Sequence, residues 1–360
     1  MVGSRSVRLF SSTNAAQKTA VMLMNMGGPS KVEETHDFLL RLFRDGDLIP
    51  LGPFQHSLGK FIAWRRYKTI EEHYEEIGGG SPILKYSEIQ AKGACEILDK
   101  IHPQTAPHIP YISFRYARPL TDETYQKMLD DGITRAVAFT QYPQYSFSTT
   151  RSNVNELHRC IEHFDPDNKI KWSYILRWPT HPGFINTVAD HVRNELAKFP
   201  PESRDKAMIL FSAHSLPMTV VNRGDPYVAE VSASAYAVMQ KLNFANPYRV
   251  TWQSQVGPQP WLGAQTQKAI QTLEKQPDYH GVVVVPIAFT SDHIETLHEV
   301  DIEMKEEVKK PELLRRAESL NDDPQFIEAL ADMVVQHLDN DEASQITSGM
   351  AAQPVFTRLN

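Results

Sequence analysis

The chain has 360 residues, of which 41% are hydrophobic and 22% charged, with a formal net charge of -7. That balance excludes a strongly basic nucleic-acid binder, and the length allows two domains, since one core seldom organises much beyond ~250–300 residues. Only Cys95 and Cys160 are present, which excludes a disulfide framework and any four-thiolate zinc or iron–sulfur site within the chain.

The residues Met1 to Lys18 carry Arg5, Arg8, Lys18 and four serines, and the first carboxylate is Glu33. An Arg- and Ser-rich, acid-free start reads as an organelle transit peptide over residues 1–19, with a disordered tail as the alternative. From Ala20 onward, strand and helix patterns alternate. Strands are predicted at Ala20–Met24, Tyr111–Phe114, Ala136–Thr140 and Trp172–Ile175, then at Ala207–Ser212, Arg249–Gln253 and Val282–Phe289. Helices are predicted at Val32–Phe43, Ser87–Ile101, Leu120–Asp131, Asn155–Phe164, His181–Phe199, Val228–Leu242 and Leu262–Glu274. Asp323–Leu338 closes the pattern as an amphipathic helix opened by Asp-Pro. Such alternation predicts an α/β fold with parallel sheets, divided near Pro200-Pro201 into domains over 20–200 and 201–340, followed by a tail over 341–360.

Two stretches interrupt the alternation. Leu48 to Arg66 is apolar and proline-bearing and ends in Arg65-Arg66, so it fits either a lip touching an anionic membrane surface or a core-packed helix with a loop. The glycines of Asn25-Met-Gly-Gly-Pro29 and Ile77-Gly-Gly-Gly-Ser-Pro-Ile83 suggest a phosphate nest. However, no G-x-G-x-x-G or G-K-[ST] is present, and Pro29 and Pro82 each remove an N–H that a cradle would use.

The chemistry concentrates after two predicted strands. Val282–Phe289 is too short for a membrane span, and its four valines favour a strand buried on both faces, with Pro286 suggesting an edge or a bulge. Asp292, His293, Glu295, His298 and Glu299 follow it. A helix starting near Asp292 puts Asp292, Glu295 and Glu299 on one face, a ridge suited to handling cations or protons. Asp292 and Glu295 equally fit an N-terminal capping box. His214, in Phe211-Ser-Ala-His-Ser-Leu-Pro217, falls just past a buried strand, where open α/β sheets present ligand-binding groups. Ser215 lacks the G-x-S-x-G elbow of a hydrolase. Other strand ends carry Arg115-Tyr116, Tyr142, Tyr145, Trp252 and Trp261, which suits a cleft for a wide, flat ligand with anionic edges.

Read together, Asn25-Met-Gly-Gly-Pro29, Ile77-Gly-Gly-Gly-Ser-Pro-Ile83, Phe114-Arg-Tyr116, Thr140-Gln-Tyr-Pro-Gln-Tyr-Ser146, Ser212-Ala-His-Ser-Leu-Pro217, Trp252-Gln-Ser-Gln-Val-Gly-Pro258 and Phe289-Thr-Ser-Asp-His-Ile-Glu-Thr296 resemble the ferrochelatase family in its eukaryotic mitochondrial form. The resemblance implies a chelatase-like pair of Rossmann-like domains facing a cleft, in which ferrous iron enters protoporphyrin IX to give protohaem. It further implies a peripheral protein of the mitochondrial inner membrane, matrix side, acting as a homodimer, and it names no iron donor. By the same resemblance His214 takes protons from the porphyrin nitrogens, and Glu295 with His293 forms the opposite wall. Asp292 and Glu299 form an acidic line on a helix widened to a π turn, and His214, Glu295, Asp292 and Glu299 are the expected contacts of the substrate iron. Met26, Arg115, Tyr116 and Trp261 match cleft-lining positions, and Arg65 and Arg66 fall in the membrane-facing lip. The closing helix is expected to pack back on the first domain.

The residue types suit that chemistry. Pyrrole N–H protons must leave before iron enters, and an imidazole with a reference pKa of ~6.5 is a suitable acceptor. Fe²⁺ accepts nitrogen and carboxylate ligands. Two positions depart from the family: Arg151 stands where it has glycine, and Leu176 stands where it has aspartate before Arg177-Trp-Pro. The tail lacks the cysteines of a [2Fe–2S] cluster, so none is expected and no resident cofactor is required. A chelatase for coproporphyrin or another metal, and a porphyrin carrier without turnover, are the alternatives.

Overall fold

The computed structural model describes residues 18–340 apart from Asp47, Pro50 and 256–258, so the transit-peptide and tail readings lie outside the described residues. The first half runs β1 (Thr19–Asn25), α1 (Thr35–Arg44), α2 (Gln55–Glu76), α3 (Ile83–Ile101) and β2 (His108–Phe114). It continues through α4 (Thr121–Asp130), β3 (Arg135–Thr140), α5 (Thr150–Phe164), β4 (Lys171–Ile175) and α6 (Pro182–Leu196). The second half runs α7 (Pro201–Arg204), β5 (Met208–His214), α8 (Met218–Val221), α9 (Tyr227–Lys241), β6 (Tyr248–Gln253), α10 (Thr266–Leu273) and β7 (Val282–Pro286). It ends with α11 (Ile294–Leu297), a π-helical segment (Glu299–Glu303), α12 (Met304–Glu306), β8 (Leu314–Arg316) and α13 (Pro324–Asp339).

The strands form two four-stranded sheets, ordered β2-β1-β3-β4 and β6-β5-β7-β8, and every pairing is parallel. All seven residues of β1 and all five of β7 are buried, as expected for interior strands covered on both faces. Both sheets repeat one order, second–first–third–fourth. The chain therefore leaves the first strand to one side and returns on the other, opening a crevice at the carboxyl ends of β1 and β3, and again at those of β5 and β7.

Several local expectations need correction. β7 lies between β5 and β8, so Pro286 marks neither an edge nor a bulge: it is the last strand residue, and Ile287 N–H takes up the next bond, to Ser212 O at 3.1 Å. Of Leu262–Glu274 only Thr266–Leu273 is helical. Much of the Leu48–Arg66 stretch belongs to the long helix α2. β8, with the sequence Leu-Arg-Arg, carries no apolar run and is invisible to pattern reading.

One apolar cluster runs through both sheets, joining Val21, Leu23, Val137 and Phe139 to Ile209, Phe211, Val283 and Val285. Its bridges are two helices. α6, although it precedes Pro200, packs on α9 and β7, while α13 packs on α3 and α6. Phe184 of α6 and Phe326 and Leu330 of α13 are wholly buried, each stabilising the join by roughly 1.5–3 kcal/mol. α13 starts as the Asp-Pro signal predicts: Asp323 caps the Gln325 and Phe326 N–H groups, and Pro324 follows it. No helix among the described residues is long and apolar enough to cross a membrane.

Candidate active site

The crevice between β5 and β7 holds the chemistry. β5 ends on His214, and the chain beyond β7 turns into α11, where Glu295 is the second residue. The His214 Nδ1–H donates to Glu295 Oε2 at 2.8 Å, so Nε2 is the nitrogen left with the lone pair. Ser254, just past β6, bridges the two acids: its Oγ lies 2.8 Å from Glu295 Oε2 and 2.5 Å from Glu299 Oε2, and its N–H donates to Glu299 Oε1 at 2.9 Å. A hydroxyl has one proton to give. Both contacts are satisfied when Ser254 donates to Glu295 and a protonated Glu299 donates to Ser254.

The electrostatics favour that distribution. Burial pushes the Glu295 carboxyl up, but the charge and hydrogen bond of His214, with His293 and Ser254 behind them, bring it down to about 2. Burial, and then the neighbouring Glu295 charge, push Glu299 up to about 7. For His214, burial disfavours the charged ring, yet Glu295 outweighs burial and the ring holds a proton more tightly than usual. Burial lowers His293, whose Nδ1–H donates to Ser291 O at 3.1 Å while Nε2 lies 3.9 Å from Glu295. Two adjacent carboxyls are thus split, one fixed as an anion and the other exchanging protons near neutral pH, the arrangement that assigns separate acid and base roles.

These groups face a cavity of about 430 Å³, lined by His214, Ser254, Glu295 and Glu299 opposite Arg66, Ile70 and His73 of α2. The His214 side chain is 40% accessible and Glu295, behind it, 17%. The imidazole therefore meets a ligand first.

Asp292 does not join this ridge. Helix α11 begins two residues later, with His293 as its N-cap, and the His293 N–H donates to Thr296 Oγ1 at 3.0 Å, so Asp292 and Glu295 form no capping box. Asp292 instead accepts from Arg316 Nη1 (2.9 Å), Ser319 Oγ (2.8 Å) and Asn321 Nδ2 (2.9 Å). Arg316 also donates to Asp301 inside the π segment at 2.7 Å, bolting that segment and the residue before the N-cap of α11 to β8. The expected iron set of His214, Glu295, Asp292 and Glu299 is therefore not assembled, and no group of three or more His, Cys, Asp or Glu among the described residues is arranged around a metal position. The widened turn itself is present, with Glu303 N–H donating to His298 O at 2.9 Å.

The other predicted residues lie elsewhere. Arg66 reaches the cavity wall, and its neighbour Arg65 is exposed. Met26, Arg115 and Tyr116 gather at the end of the first sheet, where Arg115 N–H and Tyr116 N–H donate to Asn25 O and Met26 O. Gly27 permits that close approach: it has φ +78°, and a Cβ would meet Phe114 at 2.8 Å. Tyr116 OH donates to Asp45 at 2.7 Å, and Arg115 pairs with Asp45 at 3.2 Å. Trp261 forms a bridge with Pro217, after β5. The sequence reading missed Ser254 and Arg316; Ser254 stood in a quoted motif, and its left-handed φ of +61° had no glycine to announce it.

Both departures sit in ordinary structure. Arg151 lies in the first turn of α5 without positive φ, its guanidinium 5.9 Å from the centre of the Phe147 ring. Leu176 packs beside an apolar cluster, and Arg177 is held by Glu230 at 2.8 Å and by the Tyr145 ring at 4.6 Å.

A sequence profile described as Ferrochelatase matches residues 18–338. "Ferrochelatase, mitochondrial" of Gallus gallus is 54% identical over 328 residues, covering 90% of this chain and 81% of that one. The Homo sapiens protein of the same name is 52% identical over 328 residues, covering 90% and 77%. The Schizosaccharomyces pombe one is 47% identical over 322 residues, covering 89% and 76%. A solved structure, SirB from Bacillus subtilis with Fe3+, has a TM-score of 0.55 at 11% identity, covers 91% of this chain and 97% of its own, and shares the fold. By the span of the profile and the level of these identities, the chain belongs to the ferrochelatase family.

Proposed function

We propose that this protein inserts ferrous iron into protoporphyrin IX, giving protohaem and two protons. The observation that carries the reading is the His214–Glu295–Ser254–Glu299 chain at the sheet crevice, set in a cavity opposite Arg66. Two pyrrole N–H bonds must break, with the electron pairs staying on nitrogen to bind the metal. His214 Nε2 accepts a proton, and the resulting imidazolium is stabilised by the Glu295 carboxylate at 2.8 Å. Glu299, poised at about 7, takes up or passes on a proton at neutral pH. Iron is a substrate here, met by imidazole and carboxylate groups that can release it onward. Arg66 offers a cation to an anionic edge of the porphyrin.

The relatives named above are called mitochondrial, and the same compartment is assigned to this protein. Peripheral attachment to the inner membrane on its matrix side is part of the proposal. It is supported by Phe54, Phe61 and Trp64 of the lip, which are 72%, 54% and 61% exposed. A homodimer without a [2Fe–2S] cluster completes it. Arg151 and Leu176, the two departures from the family pattern, are accommodated by ordinary contacts and lend a carrier without turnover no support.

The test is haem formation by purified protein from ferrous iron and protoporphyrin IX without oxygen, with coproporphyrin in parallel. His214→Ala is expected to bind porphyrin and to lose nearly all turnover. An inactive wild type, faster turnover of coproporphyrin, or near-normal His214→Ala overturns the proposal or its base.

A further inference from the structure

The cavity lining includes a pair of imidazoles, His73 and His298, that the mechanism does not use. His73 belongs to the cavity face of α2, with Arg66 and Ile70 at i, i+4 and i+7. His298 comes from the other wall, between α11 and the π segment. Their rings stack face to face across the cleft, with centroids 3.7 Å apart and planes within 13°. His298 Nε2 is also joined to Glu76 of α2 at 2.7 Å, and its Nδ1 lies 3.8 Å from Glu303.

The position of His298 in its own helix gives the stack its meaning. Its carbonyl oxygen accepts both Ile302 N–H at 3.1 Å and Glu303 N–H at 2.9 Å, so this residue is where the i→i+4 ladder widens to i→i+5. Glu299 is the next residue. A side chain that fixes His298 therefore fixes the direction in which Glu299 leaves the backbone. His298 is only 5% exposed, so its ring has little room to move on its own. Arg316 bolts this helix to β8 from behind, and the stacked pair holds it to α2 in front.

We propose that His73 and His298 are positioning residues that clasp the lip-bearing helix α2 to the acid-bearing helix, setting the width of the cleft and the aim of Glu299. Resting on the iron-insertion reading above, the clasp links a surface that faces a membrane to the groups that handle protons and metal. The contact acts by geometry: two flat rings in register hold two elements at a set separation, and another pair of flat rings can replace them.

The experiment compares wild type, His73→Ala, His298→Ala and the double variant His73→Phe/His298→Phe in the same haem-forming assay, with melting temperatures measured alongside. His73 is only half-buried, so its alanine variant carries the test even where His298→Ala folds poorly. Each alanine variant is expected to lose about tenfold in kcat with KM for protoporphyrin within about twofold, at an unchanged melting temperature for His73→Ala. The double phenylalanine variant, which has no ring nitrogen, is expected to recover at least about half of wild-type kcat. Wild-type kcat in His73→Ala overturns the clasp. So does a double phenylalanine variant as slow as the alanines, since the imidazole nitrogens rather than the stack are then required. A wild type that forms no haem instead refutes the functional reading.

Discussion

Replacing Glu295 by glutamine separates charge from shape at the centre of the site. The amide keeps the length of the side chain and can still accept from His214 Nδ1–H and Ser254 Oγ–H, which now lie 2.8 Å from the carboxylate. What disappears is an anion whose surroundings move it from an ordinary 4.5 to about 2, a preference for the charged form of roughly 3 kcal/mol. Spent on supporting the His214 imidazolium as the pyrrole proton leaves, that energy corresponds to a rate loss of about a hundredfold. Its neighbours must respond together. Without the Glu295 charge, burial is opposed at His214 only by the weaker pull of Glu299, and the His214 pKa falls; Glu299 loses a like charge, and its pKa falls too. The assay is anaerobic haem formation across pH, with protoporphyrin binding followed by fluorescence. Glu295→Gln is expected to bind porphyrin, to keep its melting temperature within a few degrees, and to turn over about a hundredfold more slowly. Full activity in the folded variant, or a rate loss that merely follows a loss of fold, refutes the reasoning.

Glu299→Gln tests the other carboxyl through stability. A carboxyl raised to about 7 binds its proton more tightly in the folded state, so its contribution to stability falls as pH rises from 4.5 to 7 and is flat above that. The variant is therefore expected to gain on wild type by roughly 1–3 kcal/mol between pH 5 and pH 8, and an equal difference at both pH values in chemical denaturation counts against the assignment. Asp292→Asn leaves buried Arg316 short of one carboxylate and is expected to cost about 3–5 kcal/mol in urea unfolding; a neutral effect denies the bolt its role. Burial alone raises the Asp292 carboxyl, but Arg316 and its hydrogen-bond donors bring it below its ordinary value, so this stability is present above the unfolded pKa and lost as pH falls through the lowered one. Serine at Phe54, Phe61 and Trp64 is expected to abolish flotation with anionic vesicles at unchanged melting temperature, and undiminished flotation contradicts the lip.

Seven of the eight strands among the described residues were legible, most plainly the interior β1, β3, β5 and β7, whose burial on both faces writes an apolar run, and His214 because it ends one of them. β8 was not, since its pairing partner supplies what Leu-Arg-Arg lacks. Asp292 was misplaced for a related reason. Spacing put it on the helix face of Glu295, but its N–H is taken by Asn321 Oδ1 at 2.8 Å and its carboxylate by Arg316, so the helix starts later and turns it away. Ser254, Arg316, His73 and His298 owe their roles to partners far along the chain. Glu76 and His298, for instance, are separated by 222 positions. Periodicity reports which face a residue occupies. It carries no information about what another segment brings to that face.

The exchange of α6 and α13 between the two sheets has a consequence for how the protein is made. A chain that enters an organelle does so as an extended thread, beginning to end. Its first sheet can pair as soon as β4 arrives, but α6 then waits for a second sheet that has not yet emerged. The ledge between α3 and α6 stays bare until Pro324–Asp339, near the end of the described chain, comes to cover it. The join between the sheets is therefore complete only once α13 has been delivered, whereas the His214–Glu295 pair, spanning β5 and α11, needs only the chain through α11. A truncation that removes α13 keeps every residue of the site in the chain and withdraws one of the two helices that join the sheets.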